Sequence, residues 1–380
     1  MKTNLFLLSK DNWVSHPSNK TMEKNSVQLL LCFGEKQIFT NESMYTDLRT
    51  KFPNAEITMC STAGEIYHNT VQDNTLVAVA LEFEKTAIKS ASVSIEDFSN
   101  SYTAAYELGK KLPKKDLSYI MIFSDGSLVN GSELVKGISE YAGDDVLVTG
   151  GLAGDGGNFV STLVGLNEQP SQGKIVAIGL YGKNIAITHG SQGGWDMFGL
   201  EKEITKSNGN VLLEINDQSA LELYKKYLGP DADDLPGSAL LFPLSITIPG
   251  SKNQVVRTIL SIDEERQSMT FAGDVPEGSR IRFMKANFDR LTAAASTAAT
   301  QTIVNKKSKP DFSLLLSCVG RKIILGPRIE EEVEAVWETL GDETLLAGFY
   351  TYGEISPFNE GGNCQLHNQT MTITSFYELS

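Results

Sequence analysis

One pattern recurs three times along the chain and limits what the chain can fold into. An apolar run breaks into polar residues, a helix-like segment follows, and a second apolar run ends in a glycine followed by an acidic residue. The three glycine–acid pairs are Gly64-Glu65, Gly154-Asp155 and Gly353-Glu354. The first apolar runs begin at Leu29, Tyr119 and Ser313, which precede the glycines by 35, 35 and 40 residues. This near-constant spacing predicts an internal repeat of strand, helix, strand and bend.

Local patterns between these landmarks predict the individual elements. In each unit, apolar residues recur at helical spacing after the first apolar run, and stop signals such as Pro53 and Gly143 follow. Strands expected at 239–248, 255–262 and 269–272 indicate an antiparallel meander. The sequence therefore predicts a mixed α/β (α+β) fold of two pseudo-related parts, in which mixed or antiparallel sheets carry helices on one face.

Length and composition indicate more than one domain. A chain of 380 residues exceeds what one hydrophobic core usually serves. Residues 1–25 are polar and predict an extended N-terminal arm. The acidic, proline-containing segment DADDLPG, which begins at Asp231, is the best candidate linker. We therefore expect one domain over residues 26–230 and a second over residues 231–380.

Charge and hydropathy argue against several classes of partner. The net charge of −14 would repel phosphate backbones and anionic membranes, and no basic cluster offsets it. The longest apolar runs have only about five or six residues, far fewer than the roughly 18 that span a bilayer, and a secretory signal pattern is absent. The four cysteines are scattered without a CxxC motif, so disulfides are not expected. We expect a soluble, cytoplasmic protein that binds neither nucleic acid nor membranes.

The glycine–acid bends have a structural and a functional interpretation. Structurally, glycine permits a positive φ where a strand turns sharply, and the acid can cap backbone N–H groups. Functionally, bends that converge at strand ends form a pocket in which a carboxylate holds an ammonium group and hydroxyls hold the rest of an amino acid. The candidate ligand-binding residues are Thr62, Gly64, Glu65, Gly154, Asp155, Tyr350, Tyr352, Gly353 and Glu354.

Five segments in order give the chain a family resemblance. They are CSTAGEI from Cys60, GGLAGDGG from Gly150, the stretch 189–198, FAGDVPEGS from Phe271 and GFYTYGEISP from Gly348. In this order they resemble the FIST sensory proteins, with both the N-terminal and the C-terminal FIST parts, over about residues 25–380. The resemblance implies an intracellular ligand-sensing module that works beside histidine kinases, cyclic-di-GMP enzymes or chemoreceptors. Because FIST-like sequence fills the chain, we expect it to act in trans on a separate histidine kinase or cyclic-di-GMP enzyme.

The resemblance also implies two kinds of ligand. The family was proposed to bind small molecules such as amino acids, and a stand-alone subset resembles haem proteins that detect nitric oxide and regulate a histidine kinase. Haem b needs an axial ligand in an apolar pocket, and His189 is our candidate ligand of the haem iron. Gly193 and Gly194 would allow close backbone approach, while Trp195 and Phe198 could pack on the porphyrin. Attachment would be noncovalent, because the chain has no CxxCH motif.

Other interpretations of these residues stay open. His189 is also compatible with a hydrogen-bonded structural role, and His68 is a second candidate haem ligand. Cys364 and His367 have a C-x-x-H spacing, although no partner pair for tetrahedral zinc is evident. GGLAGDGG lacks the GK[ST] ending of a P-loop, and the turn after Ser124 lacks the GxSxG motif, so we expect no enzyme. Three hypotheses remain: a haem-based nitric oxide sensor, a sensor of a small organic ligand, and an enzyme acting on such a ligand.

Overall fold

The structure is a computed structural model that describes residues 1–41, 43–250, 254–304, 306, 308–358 and 362–379. The first thirteen strands are β1 (Lys2–Ser9), β2 (Asn12–Ser15), β3 (Leu29–Gly34), β4 (Glu56–Ser61), β5 (Glu65–Tyr67), β6 (Thr70–Gln72), β7 (Leu76–Glu82), β8 (Ala87–Ser94), β9 (Leu117–Ser124), β10 (Leu147–Leu152), β11 (Val164–Leu166), β12 (Lys174–Tyr181) and β13 (Ile185–Gln192). The later strands are β14 (Asp196–Asn208), β15 (Val211–Ile215), β16 (Gln218–Ser219), β17 (Leu244–Thr247), β18 (Gln254–Arg257), β19 (Ile259–Asp263), β20 (Ser268–Phe271), β21 (Arg280–Lys285), β22 (Phe312–Cys318), β23 (Leu345–Thr351), β24 (Gly353–Pro357), β25 (Cys364–His367) and β26 (Met371–Glu378). The helices are α1 (Lys36–Phe39), α2 (Ser43–Lys51), α3 (Ser101–Lys110), α4 (Gly131–Ala142), α5 (Ala220–Leu228), α6 (Phe288–Ile303), α7 (Val319–Leu325) and α8 (Glu330–Leu340).

Three six-stranded sheets make up the body of the described protein. The first has the order β11-β4-β3-β7-β1-β2, the second β25-β24-β10-β9-β12-β8, and the third β13-β26-β22-β23-β5-β6. Each sheet contains one parallel pair, β3/β4, β9/β10 or β22/β23, beside antiparallel pairs. At least one helix connects the two strands of each parallel pair, because parallel strands need a long crossover connection. The predicted repeat and the predicted mixed α/β fold are confirmed.

After each bend, the chain leaves its own sheet and joins another. Strand β5 pairs with β23 in the third sheet, β24 pairs with β10 in the second, and β11 pairs with β4 in the first. The exchange is cyclic, because each unit donates one strand and receives one. It brings the three bends toward one another at the carboxyl ends of the parallel pairs.

The sheets pack on one another through a shared apolar core. Its centre is a group of three rings, Phe33, Phe123 and Phe349, whose centroids lie 4.8–6.0 Å apart. All three are fully buried, and burial of one such side chain contributes about 2–3 kcal/mol. The outer faces carry helices: α2 on the first sheet, α3 and α4 on the second, and α6 and α8 on the third.

Residues 196–285 form a separate small domain. Strands β14 to β21 make a sheet of order β18-β17-β21-β14-β15-β20-β19, with β16 beside β15, and α5 packs on it. The predicted meander is found in part, as the antiparallel pairs β17/β18 and β19/β20. The strand expected at 255–262 is divided into β18 and β19 at opposite edges of the sheet, and residues 239–241 lie in a 3-10 helix. The boundary that the sequence predicts at residue 230 falls inside this small domain. The chain returns to the body at α6.

The N-terminal segment is more ordered than the predicted arm. Strand β1 pairs antiparallel with β7 over seven residue pairs, and β2 forms the edge of the same sheet. This pairing buries Thr3, Asn4 and Leu5 although two of them are polar. Within the described residues, no helix combines the length and apolar character needed to cross a bilayer.

Candidate functional site

The three bends are hydrogen-bonded to one another in a ring. The backbone N–H of Ala63 donates to the Tyr350 carbonyl at 2.8 Å, and that of Gly154 donates to the Ser61 carbonyl at 2.9 Å. The N–H of Tyr352 completes the ring at 3.2 Å from the Leu152 carbonyl. The convergence follows from the cyclic strand exchange, because each bend must pass the end of a neighbouring unit.

The two glutamates of the bends are sealed by matching sets of threonines. The Thr62 hydroxyl donates to one carboxylate oxygen of Glu65, and the Thr75 hydroxyl and N–H donate to the other at 2.8 and 3.2 Å. Glu354 repeats this set. Its partners are the Thr351 hydroxyl at 2.8 Å, the Thr370 hydroxyl at 2.8 Å and the Thr370 N–H at 3.1 Å. The two bends are therefore copies in hydrogen bonding as well as in sequence.

Burial decides the ionisation of these glutamates. Glu65 is 1% exposed and Glu354 is fully buried. Loss of water raises the pKa of Glu65 to about 7 and the pKa of Glu354 to about 8, although the threonine hydrogen bonds oppose the shift. Both side chains have their acceptor oxygens occupied within the protein. The structure thus places them as buried supports of the bends.

The acid of the middle bend has a different environment. Asp155 accepts the N–H groups of Phe159 at 2.8 Å, Val160 at 3.1 Å and Ser161 at 3.0 Å, so it caps the loop that follows it. The Tyr352 hydroxyl donates to the same carboxylate. That hydroxyl also accepts the N–H of Asp155 at 3.1 Å. Burial and the neighbouring carboxylate raise the pKa of Tyr352, so the phenol stays protonated and keeps this contact.

Tyr352 connects the bends to a cavity of about 410 Å³, which we call the junction cavity. It lies between the body and the small domain. On the body side it is lined by Gly126, Ser127, Leu128, Val129, Asn130, Gly131, Leu152, Phe159, Val160 and Tyr352. On the small-domain side it is lined by Asn210, Leu260, Phe271, Ala272 and Gly273. Of the nine bend residues predicted to bind a ligand, Tyr352 lines this cavity, and Asp155 holds Tyr352 in place.

The loop 126–131 forms one wall of the cavity and is fixed by Asp125. Its buried carboxylate accepts the N–H groups of Ser127 and Leu128, each at 2.7 Å, and that of Gly173 at 2.9 Å. Gly126 is required by close approach, because a Cβ there would lie 2.1 Å from the Ala153 carbonyl oxygen. The loop leads into α4, where the Asn130 side chain accepts the N–H of Glu133 at 3.0 Å as an N-cap.

The loop and aromatic residues of this wall were missed by the sequence analysis. Phe159 stacks on Tyr352 with ring centroids 4.6 Å apart and an angle of 19° between the planes. Phe159 is 46% exposed and Val160 is 73% exposed. The sequence did contain a signal for Phe159 and Val160. These two apolar residues follow a glycine-rich loop, and the residues around them show no apolar periodicity that would predict burial. No signal in the sequence marked the small-domain residues of the lining, because their proximity to the body depends on how the small domain packs against it.

Tyr350 has a purely internal partner. Its hydroxyl donates to Glu332 at 3.0 Å, and Glu332 forms a fully buried ion pair with Arg321 at 2.8 Å. Arg321 also donates to the carbonyls of Gly193 and Leu291 at 2.6 and 2.9 Å. This network joins α7, α8, the end of β13 and α6. Tyr350 therefore contacts the supports of the third sheet.

The five residues predicted to hold haem lie in separate surroundings. His189 lies on β13 opposite Thr374 and is partly buried. Trp195 packs with Met284, Leu291 and Leu325, and Phe198 packs instead on Phe283 in the small domain. Helix α6 packs closely against Gly194, because a Cβ there would lie 2.4 Å from the Arg290 carbonyl oxygen. A Cβ on Gly193 would meet the Trp195 ring.

These residues do not form one apolar pocket around His189, so they do not fit a porphyrin in this arrangement. We derive no step through haem, and its binding stays a prediction. A Soret band after haem titration, lost in His189→Ala, is the observation that would support it.

The remaining histidine and cysteine candidates have local partners. His68 is partly buried and its ring lies 4.5 Å from that of His16. The Cys364 thiol donates to the Val148 carbonyl, and a ring nitrogen of the buried His367 lies 2.9 Å from the Ser356 carbonyl oxygen. Across the described ranges, no group of three or more His, Cys, Asp and Glu side chains is placed to hold a metal ion.

The fold and the cavity define a mixed α/β protein with a small-molecule-sized space between two domains. The FIST N domain matches residues 28–218, and the FIST C domain matches residues 220–357. The chain belongs to the FIST family. FIST domains are associated with sensory signal transduction and with the binding of small ligands.

Comparisons with other known proteins add little. A cyanuric acid hydrolase from A. caulinodans is similar over 100% of this chain and 99% of its own, with 7% identity and a TM-score of 0.40. A second cyanuric acid hydrolase structure covers 99% of each chain, with 6% identity and a TM-score of 0.36. The comparison with curated proteins gave no match. At these values we draw no functional conclusion from the two hydrolases.

Proposed function

We propose that this protein senses a small organic ligand, such as an amino acid, which it binds in the junction cavity. The observation that carries the proposal is the position of Tyr352, which belongs to the ring of bends and also lines a cavity whose other wall is the small domain. A ligand there touches both parts of the protein. Its binding energy therefore depends on how they are arranged.

The lining indicates what such a ligand carries. A volume of about 410 Å³ lies in the usual range of small-molecule sites. The stacked Tyr352 and Phe159 rings and Leu260 offer apolar surface, and the first residue of α4, Gly131, also lies in the lining. The N-terminal end of a helix favours a negative group. A ligand with a carboxylate and a short apolar or planar portion satisfies both features, as an amino acid does.

Contacts beside the cavity provide a route from binding to signalling. Lys136 on α4 forms an ion pair with Asp274 of the small domain at 3.2 Å, and the Ser132 hydroxyl accepts the Asp274 N–H at 3.4 Å. An exposed ion pair of this kind contributes only about 0–1 kcal/mol. A buried hydrogen bond from Arg257 of the small domain to the Leu366 carbonyl of the body, at 3.0 Å, joins the domains nearby, so a ligand would act on the exposed pair and not on this buried contact.

The association of FIST domains with signal transduction supports a signalling partner. We propose a separate signalling protein, either a histidine kinase or a cyclic-di-GMP enzyme, that recognises the ligand-bound arrangement. No reaction is assigned to the cavity, so a ligand recovered after incubation should be chemically unchanged.

A ligand screen with matched variants tests the proposal. Amino acids and small carboxylic acids are screened by thermal shift, and hits are measured by calorimetry on the wild type, Leu260→Ser and the control Leu200→Ser. Both leucines are exposed, at 47% and 79%, but only Leu260 lines the cavity. We expect Leu260→Ser to weaken binding about tenfold, which corresponds to about 1.4 kcal/mol, and the control to leave it unchanged. Equal affinities in all three proteins would contradict the proposed site.

A further inference from the structure

A second cavity lies at the N-terminal edge of the first sheet, and we call it the N-terminal cleft. Its volume is about 490 Å³. It is lined by Asn4, Phe6, Trp13, Ser15, Asn19, Lys20, Thr21, Met22, Glu23, Lys24, Val27, Lys51 and Phe52. All but two of these residues precede residue 28, where the FIST match begins. The cleft is therefore separate from the junction cavity in position and in sequence.

Two asparagines fix the walls of the cleft. The Asn4 amide group donates to the Lys20 carbonyl at 2.9 Å and accepts the Lys20 N–H at 2.8 Å. The Asn19 amide group pairs with Leu5 in the same two-way manner, at 2.8 and 2.9 Å. The segment that follows β2 is thus held against β1 by four side-chain hydrogen bonds. This bonding defines the space between them.

The floor of the cleft is apolar and aromatic. Phe6 and Phe52 have ring centroids 6.0 Å apart, and Trp13 and Met22 pack beside them on the core of the first sheet. All four side chains remain partly exposed. Aromatic residues left accessible in a concave site provide large contact area for an apolar ligand group.

The rim of the cleft is cationic although the protein as a whole carries a net charge of −14. Three lysines, Lys20, Lys24 and Lys51, face one glutamate, Glu23, in the lining. The Lys51 ammonium lies 4.2 Å from the centre of the Trp13 ring. In the part of the chain that the structure describes, none of the three ammonium groups lies within ion-pairing distance of a carboxylate.

The charges act on one another. Burial lowers the pKa of Lys51. The negative charge of Asp47 raises it in part, and the positive charge of Lys24 lowers it further. An anion placed between the two lysines would relieve their repulsion and keep both charged. An apolar floor with a cationic rim is complementary to a molecule that has an apolar body and one negative end.

We propose that the N-terminal cleft is a second binding site, specific for a small amphipathic anion: a carboxylate attached to an aromatic or aliphatic body. The body packs on Trp13, Phe6 and Phe52, and the carboxylate lies between Lys51 and Lys24. The site does not depend on the function proposed for the junction cavity.

Three probes of one shape test the charge requirement. They are 4-phenylbutyrate, 4-phenyl-1-butanol and 4-phenylbutylamine, and binding is measured by calorimetry and by quenching of tryptophan fluorescence. We expect saturable binding of the acid at least tenfold tighter than that of the alcohol, and no binding of the amine. The quenching should be absent in Trp13→Phe. Equal affinity for acid and alcohol, or no saturable binding of the acid, would overturn the proposal.

Two lysine variants locate the carboxylate. Lys51→Met keeps an apolar stem but removes the charge, and we expect it to weaken phenylbutyrate binding about tenfold. Lys10→Met is the control, because Lys10 lies exposed in the turn between β1 and β2 and does not line the cleft. Unchanged affinity in Lys51→Met would overturn the assignment. Leu260→Ser should bind the acid normally, which separates this result from any failure at the junction cavity.

Discussion

The bends with glutamate and the bend with aspartate start from one sequence pattern and end in different environments. Glu65 and Glu354 are each enclosed by two threonines and do not line the junction cavity. Asp155 instead caps a loop whose apolar residues are exposed, and it positions a tyrosine that lines the cavity. The kind of donor distinguishes the bends: the two glutamates accept from threonines packed around them, whereas Asp155 accepts the N–H groups of the loop that follows it and the hydroxyl of a tyrosine that lines the cavity.

The comparison shows that a repeat can assign structural and binding roles to the same position in different copies. Two copies use the acid to close the bend. In the middle copy the acid caps the loop after the bend and positions Tyr352 at the cavity. The following predictions test this division.

The largest effect is expected for removal of a sealed glutamate. Glu354→Ala leaves the Thr351 and Thr370 hydroxyls and the Thr370 N–H without an acceptor in a dry site. We expect a loss of about 3–4 kcal/mol in the free energy of unfolding, measured by urea denaturation. Asp155→Ala should lose only about 1–2 kcal/mol, because the Phe159 N–H keeps the Tyr352 hydroxyl as an acceptor and Phe159 and Val160 are exposed residues. Equal losses in the two variants would remove the distinction between the bends.

The second effect is a dependence on pH. The pKa values of Glu65 and Glu354 are raised in the folded state to about 7 and about 8, so the folded protein binds these protons more tightly than the unfolded chain does. Their stabilisation is present at low pH and is lost as pH rises from about 4.5 through these values. Each group should contribute a decline of at most about 1.4 kcal/mol per pH unit.

Glutamine variants isolate this dependence. Glu354→Gln cannot titrate, so its stability relative to the wild type should increase as pH rises from 5 toward 8, and Glu65→Gln should behave in the same way over a narrower range. Urea denaturation at several pH values measures the difference. A constant difference between variant and wild type would show that the glutamates titrate normally.

The smallest effect separates the two tyrosines of the third bend. Tyr350→Phe and Tyr352→Phe each remove one hydroxyl that donates to a carboxylate, so each should cost about 1 kcal/mol of stability. Only Tyr352→Phe should weaken the binding of a ligand in the junction cavity, because Tyr350 contacts Glu332 in the interior and does not line the cavity. Calorimetry with a screened ligand measures this. Equal weakening by both variants would place the binding site closer to the third sheet.

Much of the fold could be predicted from the sequence. The spacing from Leu29, Tyr119 and Ser313 to the three glycines revealed the repeat, because strand and helix lengths are set by local patterns. The exchange of strands between sheets could not be seen, since β5, β11 and β24 are short and their partners are distant in sequence. The roles of Thr75 and Thr370 could not be predicted either, because these residues lie 10 and 16 residues beyond the glutamates to which they donate.

The candidate site was predictable only in part. Tyr352 and Asp155 stood out because they belong to the repeated motif. Phe159, Leu260 and the loop after Asp125 belong to no repeat, and the cavity they line exists because the small domain packs there. The polar N-terminal segment gave no hint of an aromatic cleft, because Phe6, Trp13 and Phe52 come together only when β1 pairs with β7.

The cyclic strand exchange has a consequence for how the body unfolds. Since each sheet contains a strand supplied by another unit, no third of the body retains a complete sheet when the others melt. Amide hydrogens of β3, β9 and β22 should therefore exchange with solvent water together, through one global opening, and a fragment cut at any bend should fail to fold alone.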